Sequence, residues 1–400
     1  MNAPRLGNTS RVVERHADAW RVTLCDLDID DDDVEAVSDV VRSRWLSSGP
    51  VTGQFEADWA RLLEVPQTVA VSSGTAALHL AMLALGIGPG DEVIVPSMTF
   101  VASAAVVALT GARPVFADIT SLRNPEIDPA DVARRIGSRT AAIVATHYAG
   151  YPAPAEELVA LAGRHGLAVV EDAAHAPGVR AGDSMLGTVG DIGCFSFFAT
   201  KNVTTGEGGL VVSTDADLLQ RVRLLRSHGM TTSSWDKQQG RASQHDVVAF
   251  GLNYRLTDIA AALGRSQLRK LPRDRAHRRA LTARYHSGLA ALGPVIVPFL
   301  GHPGDSAFHL MAVLLPDREV RDAVQRRLRE VGIQTSVHYQ PTHLFSCYRE
   351  RYGTVPGQLP VTEEFGDREL TLPLHVGMTM SDVDLVVAQV VEALGKEAVA

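Results

Sequence analysis

Cysteine is scarce in this chain of 400 residues. The three present, Cys25, Cys194 and Cys347, cannot build a disulfide framework and form no C-x-x-C pair. A reducing cytosol fits that usage. Long apolar runs are also lacking: residues 76–87 and 100–109 fall well short of the ~20 needed to span a bilayer. The opening MNAPRLGNTSRVVERHADAW is polar and holds no signal-peptide core. There is no basic excess, because 38 Lys+Arg face 46 Asp+Glu for a formal charge of −8. That balance argues against a nucleic-acid partner. The 34 Gly and 20 Pro follow no period, which excludes collagen-like repeats, and no internal repeat or low-complexity tract is present. The expectation is a soluble cytoplasmic protein with no membrane, nucleic-acid or metal partner and a flexible N-terminal segment over 1–22.

At 46% hydrophobic and 21% charged residues, the chain is too apolar to be mainly disordered. Its length gives a prior of roughly two or three domains, at about 150 residues each. Between residues 66 and 215, short Val/Ile-rich runs (69–71, 92–95, 114–118, 141–146, 167–171) alternate with helical stretches (76–85, 101–110, 156–164). This alternation predicts an α/β fold with a mostly parallel sheet covered on both faces. Ligands of such sheets bind beyond the carboxyl ends of the strands. After residue 270 the texture changes. A long basic helix (270–285) is followed by a strand (308–315) and a helix with Val320, Val324, Leu328 and Val331 on one face. A second strand (333–338) and a final helix opening on Ser381 and Asp384 at capping-box spacing complete the pattern. The expected division is a large domain over 23–268 and a smaller α+β domain over 269–400.

Three strand ends carry chemistry. Ser72-Ser73-Gly74-Thr75 lies between a strand and a helix, where unpaired N–H groups can hold an anion, although the same residues also make an ordinary helix cap. Glu171-Asp172-Ala173-Ala174-His175 puts a carboxylate at a strand end, where burial demands a cationic partner; a protonated pyridine nitrogen would serve, and so would a structural cap. The segment 193–202 ends an apolar run on Lys201, in a chain whose basic residues are mostly arginine. A lysine among apolar and small residues can have a lowered pKa and attack a carbonyl. Pyridoxal 5′-phosphate (PLP) needs all three in one place: a phosphate cradle, an acid on its ring nitrogen and a lysine for its aldehyde. Asp172 and Lys201 stand 29 positions apart.

The ordered motifs Trp45-Leu46-Ser47-Ser48-Gly49-Pro50, Ser72-Ser73-Gly74-Thr75-Ala76-Ala77-Leu78, Gly90-Asp91-Glu92-Val93-Ile94-Val95-Pro96 and Thr99-Phe100 continue into Glu171–Ala176, Phe195-Ser196-Phe197 with Lys201, Gly206-Glu207-Gly208-Gly209, Gly251–Arg255 and Leu372-Pro373-Leu374. Over about residues 24–396 the sequence resembles the DegT/DnrJ/EryC1/StrS sugar aminotransferases of the aspartate aminotransferase-like fold type I. The resemblance implies that Lys201 bonds the PLP aldehyde and shuttles the proton between Cα and C4′. It implies that Asp172 pairs with the pyridine nitrogen, and that Gly74, Thr75 and Ser196 hold the phosphate. It places Phe100 on the cofactor ring and His175 beside Asp172 and the phenolic oxygen, with core packing as the alternative for each. Asn253 matches the residue that reaches the phosphate of the neighbouring subunit, which implies a homodimer. Ser48, His338, Tyr339 and His343 are the substrate-side candidates. Cys194, His79 and His147 read as structural.

The implied reaction moves the amino group of L-glutamate to the keto group of a nucleotide-linked sugar. The stretches Ser227-His228-Gly229-Met230-Thr231-Thr232 and Ala149-Gly150-Tyr151-Pro152 resemble 4-aminotransferases, which favours C4 of dTDP-4-keto-6-deoxyglucose in antibiotic deoxyaminosugar biosynthesis. A 3-ketosugar or cyclitol ketone remains an alternative. So does a non-catalytic regulatory protein on the same fold, against which Asp172, Ser196 and Lys201 argue together. Lys201 also argues against a dehydratase, whose relatives carry His there. Thr200 argues against a desulfurase, which expects His before the lysine.

Overall fold

In the computed structural model, which describes residues 20–232, 234–240, 244–293 and 295–397, the β-branched runs become strands and the Ala/Leu-rich stretches become helices. Helices α1 (Asp31–Ser43) and α2 (Pro50–Leu62) lead into β1 (Thr68–Val71), α3 (Gly74–Ala84), β2 (Glu92–Pro96), α4 (Ala102–Leu109) and β3 (Arg113–Ala117). Then come α5 (Pro129–Arg135), β4 (Thr140–Thr146), α6 (Ala155–His165) and β5 (Ala168–Asp172). A hairpin of β6 (Arg180–Ala181) and β7 (Ser184–Met185) precedes β8 (Ile192–Ser196), β9 (Gly209–Val212), α7 (Ala216–Arg226), α8 (Ser234–Gln238) and α9 (Asp258–Leu289). The remainder is β10 (Met311–Leu314), α10 (Arg318–Glu330), α11 (Ser346–Tyr352), α12 (Pro360–Arg368), β11 (Glu369–Leu372) and α13 (Met380–Glu397).

Seven strands form one sheet in the order β1-β9-β8-β5-β4-β2-β3. Only β9 runs against the rest. Alternation along β8 shows how both faces are filled. Ile192 and Cys194 pack into the cluster under α3 and α4. Phe195 packs on the opposite face with Phe197 from the turn that follows, their rings 5.3 and 5.0 Å from that of Trp59 on α2. A second core lies under the antiparallel pair β10–β11, between α10, α13 and the distal half of α9.

Helix α9 belongs to both cores. Ala261 and Leu271 pack with Trp59 and Phe197, whereas Leu281, Tyr285 and Leu289 pack with β10 and β11. The expected division between 268 and 269 thus falls inside an unbroken helix. At the other end, Val22 is 4% exposed and bridges to Ile333, so the segment expected to be flexible through residue 22 is anchored before it ends; its residues 1–19 lie outside the described ones.

Two local expectations are corrected. Residues 333–338 form no strand; they make single bridges, Ile333 to Val22 and Ser336 to Thr371, because only every third residue meets a partner. The last helix is capped by Thr379 and Asp382 rather than Ser381 and Asp384. The Thr379 N–H and Oγ1 donate to Asp382 Oδ2 at 2.7 and 2.8 Å, and the Asp382 N–H donates back to Thr379 Oγ1 at 3.2 Å. Asp384 instead pairs with Arg284 of α9 at 2.6 Å. Among the described residues, no helix is long and apolar enough to cross a membrane, and no group of His, Cys, Asp or Glu could hold a metal ion.

The strand leading to Lys201 tolerates no side chain at Gly193, where a Cβ would lie 2.0 Å from the Gly187 carbonyl oxygen. Backbone on both sides cannot yield cheaply. Gly193→Ala is therefore expected to cost about 3 kcal/mol of stability, read as a lower urea midpoint; an unchanged midpoint would remove this constraint.

Candidate active site

The carboxyl ends of β1, β2, β4, β5 and β8 all open on one cavity of about 480 Å³, lined there by Ser73, Thr99, Thr146, Asp172 and Ser196. The opposite wall comes from the C-terminal part of the chain, through His309, His338, Tyr339 and Thr371. Its size suits a small cofactor with part of a substrate.

Ser73 caps α3, its Oγ accepting from the Ala76 N–H at 3.0 Å. The N–H groups of Gly74 and Thr75 in the first turn have no intrahelical acceptor, so that helix end favours an anion. A Cβ at Gly74 would lie 2.7 Å from Ser196 Cβ. Glycine there leaves the space in which a phosphate can meet both the helix end and the Ser196 hydroxyl.

Asp172 is 6% exposed at the end of β5. Its Oδ2 accepts from Ser103 Oγ at 2.7 Å and its Oδ1 from the Ala174 N–H at 3.2 Å. Ser103 is itself bonded to Thr99 Oγ1 at 3.0 Å, and Thr99 to Thr146 Oγ1 at 3.2 Å. The carboxylate is thereby fixed in direction while keeping lone pairs free for a cation in the cavity. Behind it, Glu171 is fully buried and accepts from His147 Nε2 at 2.9 Å and from the N–H groups of Gly187, Val189 and Gly190. His147 is structural, as read from sequence, and His79 bonds the Tyr254 hydroxyl at 3.1 Å away from the cavity.

Lys201 lies in the turn after β8, its N–H donating to the Phe198 carbonyl at 2.9 Å. Burial lowers its amine pKa to about 8, against the opposing pull of Asp172. A useful fraction of the amine is then neutral and nucleophilic near pH 8. His175 is 5% exposed; burial, with Lys201 adding to it, pushes its pKa well down, so the ring is neutral. Its Nε2 meets the Tyr339 hydroxyl at 3.2 Å, and its Nδ1 is buried without a partner. The His309 ring lies 4.2 Å from it, held by Asn202 Oδ1 at 2.9 Å.

Gly74, Thr75, Phe100, Asp172, His175, Ser196, Lys201, His338 and Tyr339 all line the cavity, Phe100 at its rim with 52% exposure. Ser48 and Asn253 lie outside it. The Ser48 carbonyl accepts from Trp45 Nε1 at 3.4 Å, and the exposed Asn253 bridges to Ser227. His343 is corrected: it is fully buried, with Nδ1 on Ser97 Oγ at 2.7 Å and Nε2 on Glu363 at 3.1 Å, so it shapes the fold and cannot meet substrate. Sequence reasoning missed Ser103, Asn202 and His309, whose partners are 69 to 107 positions away and leave no local pattern. Cys194, read as a core residue, is buried and also lines the cavity.

The donor set fits PLP: an anion cradle at α3, an oriented carboxylate, a buried nitrogen awaiting a partner and a weakly basic lysine. A model of the DegT/DnrJ/EryC1/StrS aminotransferase family matches residues 27–391. The chain belongs to this family. The aminotransferase TlmJ from Streptoalloteichus hindustanus is 37% identical, with a TM-score of 0.87 over 94% of this chain and 99% of that one. The putative sugar aminotransferase Spr1654 from Streptococcus pneumoniae, in its PLP-form, is 29% identical, with a TM-score of 0.88 over 94% of this chain and 99% of that one. DesI, solved in the presence of its TDP-sugar product, is 32% identical, with a TM-score of 0.83 over 95% of this chain and 94% of that one. As a member of the family, the protein is a PLP-dependent sugar aminotransferase of fold type I.

Since only the neutral amine attacks an aldehyde, the rate at which the stripped enzyme captures PLP should rise with pH through about 8 and then level off. Stopped-flow absorbance between pH 6.5 and 9.5 measures it; a flat profile would contradict the lowered basicity of Lys201.

Proposed function

We propose that this enzyme transfers the amino group of L-glutamate to the ketone of a nucleotide-linked sugar, at C4 of dTDP-4-keto-6-deoxyglucose, in deoxyaminosugar (antibiotic) biosynthesis in the cytoplasm. The observation that carries the aminotransfer chemistry is the convergence of Asp172 and Lys201 on one cavity beside a helix N-terminus. The choice of a TDP-linked sugar is supported by the likeness to DesI, and that of C4 by the Ser227–Thr232 and Ala149–Pro152 motifs.

When bound, PLP supplies an aldehyde that exchanges amines and a ring that withdraws electrons. The chain's own residues do the rest. The first turn of α3 and Ser196 bind the phosphate. Asp172, held by Ser103 and the Ala174 N–H, fixes a proton on the ring nitrogen and so keeps the ring electron-poor. His175, whose Nδ1 is buried without a partner, would meet the phenolic oxygen, and Phe100 at the cavity rim would cover a ring face. Lys201 takes a proton from the donor's Cα and returns one, and in the second half-reaction does the same in reverse. Burial lowers its pKa to about 8, which suits an amine that must both take and release a proton. Ser48, His338 and Tyr339 are proposed to position substrate.

Asn253 is exposed outside its own chain's cavity and lies near Phe250, which is fully exposed, with Val247 and Val248 more than half exposed. These features support a homodimer in which Asn253 holds the phosphate of the neighbouring subunit.

The deciding assay is product analysis after incubation with glutamate and a panel of ketosugars: 4-keto and 3-keto, dTDP- and UDP-linked, and a cyclitol ketone. A 4-amino-4,6-dideoxyhexose with stoichiometric 2-oxoglutarate is expected, and an amine on any other member would replace the C4 reading. Asp172→Asn should slow turnover by about 10²-fold, on the order of 3 kcal/mol; near-normal turnover would remove its role. Asn253→Ala should weaken PLP binding roughly tenfold, the equivalent of one lost hydrogen bond to a charged group, measured by equilibrium dialysis. Unchanged affinity would remove the shared site.

A further inference from the structure

His338 is restrained at three points. Its N–H donates to Glu369 Oε2 at 2.7 Å, its carbonyl accepts from the Tyr148 hydroxyl at 2.5 Å, and its Nδ1 meets Thr371 Oγ1 at 2.8 Å. Thr371 Oγ1 in turn lies 2.5 Å from Glu369 Oε1. Glu369 and Thr371 point the same way because they are two apart on β11, and the bridge from Ser336 to Thr371 lays residues 336–338 beside that strand. Glu369 is fully buried, while His338 lines the cavity with Nε2 making no hydrogen bond among the described residues.

A threonine hydroxyl has one proton, so the two contacts of Thr371 must run in the same direction. With Glu369 ionised, Thr371 donates to Glu369 and accepts from Nδ1–H of His338, leaving Nε2 a bare acceptor. With Glu369 protonated, the carboxyl donates to Thr371, Thr371 donates to Nδ1, and Nε2 carries the hydrogen. One form becomes the other by uptake of one proton. It enters at Nε2, the Nδ1 proton moves to Thr371, and the Thr371 proton moves to Glu369. No imidazolium forms, and the carboxylate is neutralised.

We propose that Glu369 and Thr371 are a proton relay behind His338 that decides whether His338 presents a donor or an acceptor to the cavity, so that His338 binds the carboxylate of the amino donor only while Glu369 holds a proton. The identity of that donor rests on the function proposed above; the relay itself does not. A carboxylate only accepts hydrogen bonds and needs Nε2–H, whereas a sugar hydroxyl can meet either form. Within the chain, no arginine lines the cavity among the described residues, so His338 is a candidate to meet a carboxylate there. One site can thereby serve the carboxylate of an amino acid and the neutral sugar ring of a nucleotide-linked ketosugar in turn. The groups facing the relay are consistent with the direction of proton flow. Burial raises Glu369 to about 8 against the weak pull of Arg321, with Tyr148 and Tyr339 nearby as neutral phenols. Burial and Lys201 lower His338 to about 4, with neutral His175 and His309 as its other neighbours. The relayed proton therefore rests on Glu369, present below about pH 8 and lost above it.

Glu369→Gln locks the donor form. The amide oxygen must accept from the His338 N–H, so the amide nitrogen donates to Thr371 and Thr371 donates to Nδ1. Two measurements on the PLP-loaded enzyme test this. In protein labelled with ¹⁵N-histidine, with His338 assigned by its loss in His338→Asn, long-range ¹H–¹⁵N spectra should show Nε2–H at pH 6.5 and Nδ1–H at pH 9.5. In Glu369→Gln the resonance should stay Nε2–H throughout. A single tautomer in the wild type, or the same switch in the variant, overturns the relay. Glutarate, which has carboxylates but no titrating amine, should bind the wild type roughly tenfold more weakly at pH 9.5 than at 6.5. It should show a much smaller change in Glu369→Gln. Equal weakening in both, or no binding at any pH, overturns the carboxylate assignment. Failure of the ketosugar panel beside normal glutarate behaviour would instead count against the proposed acceptor alone.

Discussion

The structure depends on a carboxylate that cannot turn away. Asp172 sits on the last residue of a strand buried on both faces, and ionised acids are costly to bury without partners. Ser103 and the Ala174 N–H take one lone pair on each oxygen, and Thr99 and Thr146 hold Ser103. What remains is free for a cation in the cavity that Lys201 also lines. The sheet topology makes this possible. Five strands deliver their carboxyl ends to one edge, so hydroxyls from four of them meet the Asp172 carboxylate without any loop having to travel far.

The second wall is brought by α9. A helix of 32 residues that packs in two hydrophobic cores fixes the C-terminal elements against the large sheet. Two side-chain links then tie the wall to the residues around Lys201: Tyr339 to His175, and His309 to Asn202, which also donates to the Ala307 carbonyl at 2.7 Å. Both links use neutral groups in a dry place, where each hydrogen bond is stronger than in water and each unmade one is costly. Aligning the two walls is therefore part of assembling the site.

How much of this was legible in the sequence follows from distance along the chain. Strand-to-helix junctions announce themselves locally, since a β-branched run, a small polar residue and a helix occupy consecutive positions. Gly74 at the start of α3 was readable for that reason, Asp172 and Lys201 were readable as polar residues closing apolar runs, and Ser196 came from the family motif; the parallel sheet was readable from the alternation of strands and helices. Ser103 and His309 were not, because their partners are set only when β5, α4 and the C-terminal elements meet. His343 was misread through proximity. It is five residues from His338, yet the 3₁₀ turn at Thr342–Leu344 carries it inward to Ser97 and Glu363 while His338 stays on the cavity wall. The helix cap at Thr379 was missed by two positions because Asp384, which has the right spacing from Ser381, is drawn to Arg284 instead.

The proposed reaction sets a constraint that the large-domain residues cannot relieve. Its two substrates would occupy the same volume next to Lys201 in turn, yet the proposed donor carries carboxylates and the sugar of the proposed acceptor carries hydroxyls and a ketone. A fixed cation would favour the first and leave a buried, unpaired charge when the second arrived, a penalty of the kind that makes lone buried charges rare. A neutral group that can reverse its hydrogen-bonding sense avoids that penalty, provided the proton has somewhere to go. Glu369 is buried, keeps its proton up to about pH 8 and is one hydroxyl away from His338, and it stands behind Thr371 and His338, which line the cavity. Its position on β11, in the element that closes the second core, ties the stability of that core to the adaptability of the site.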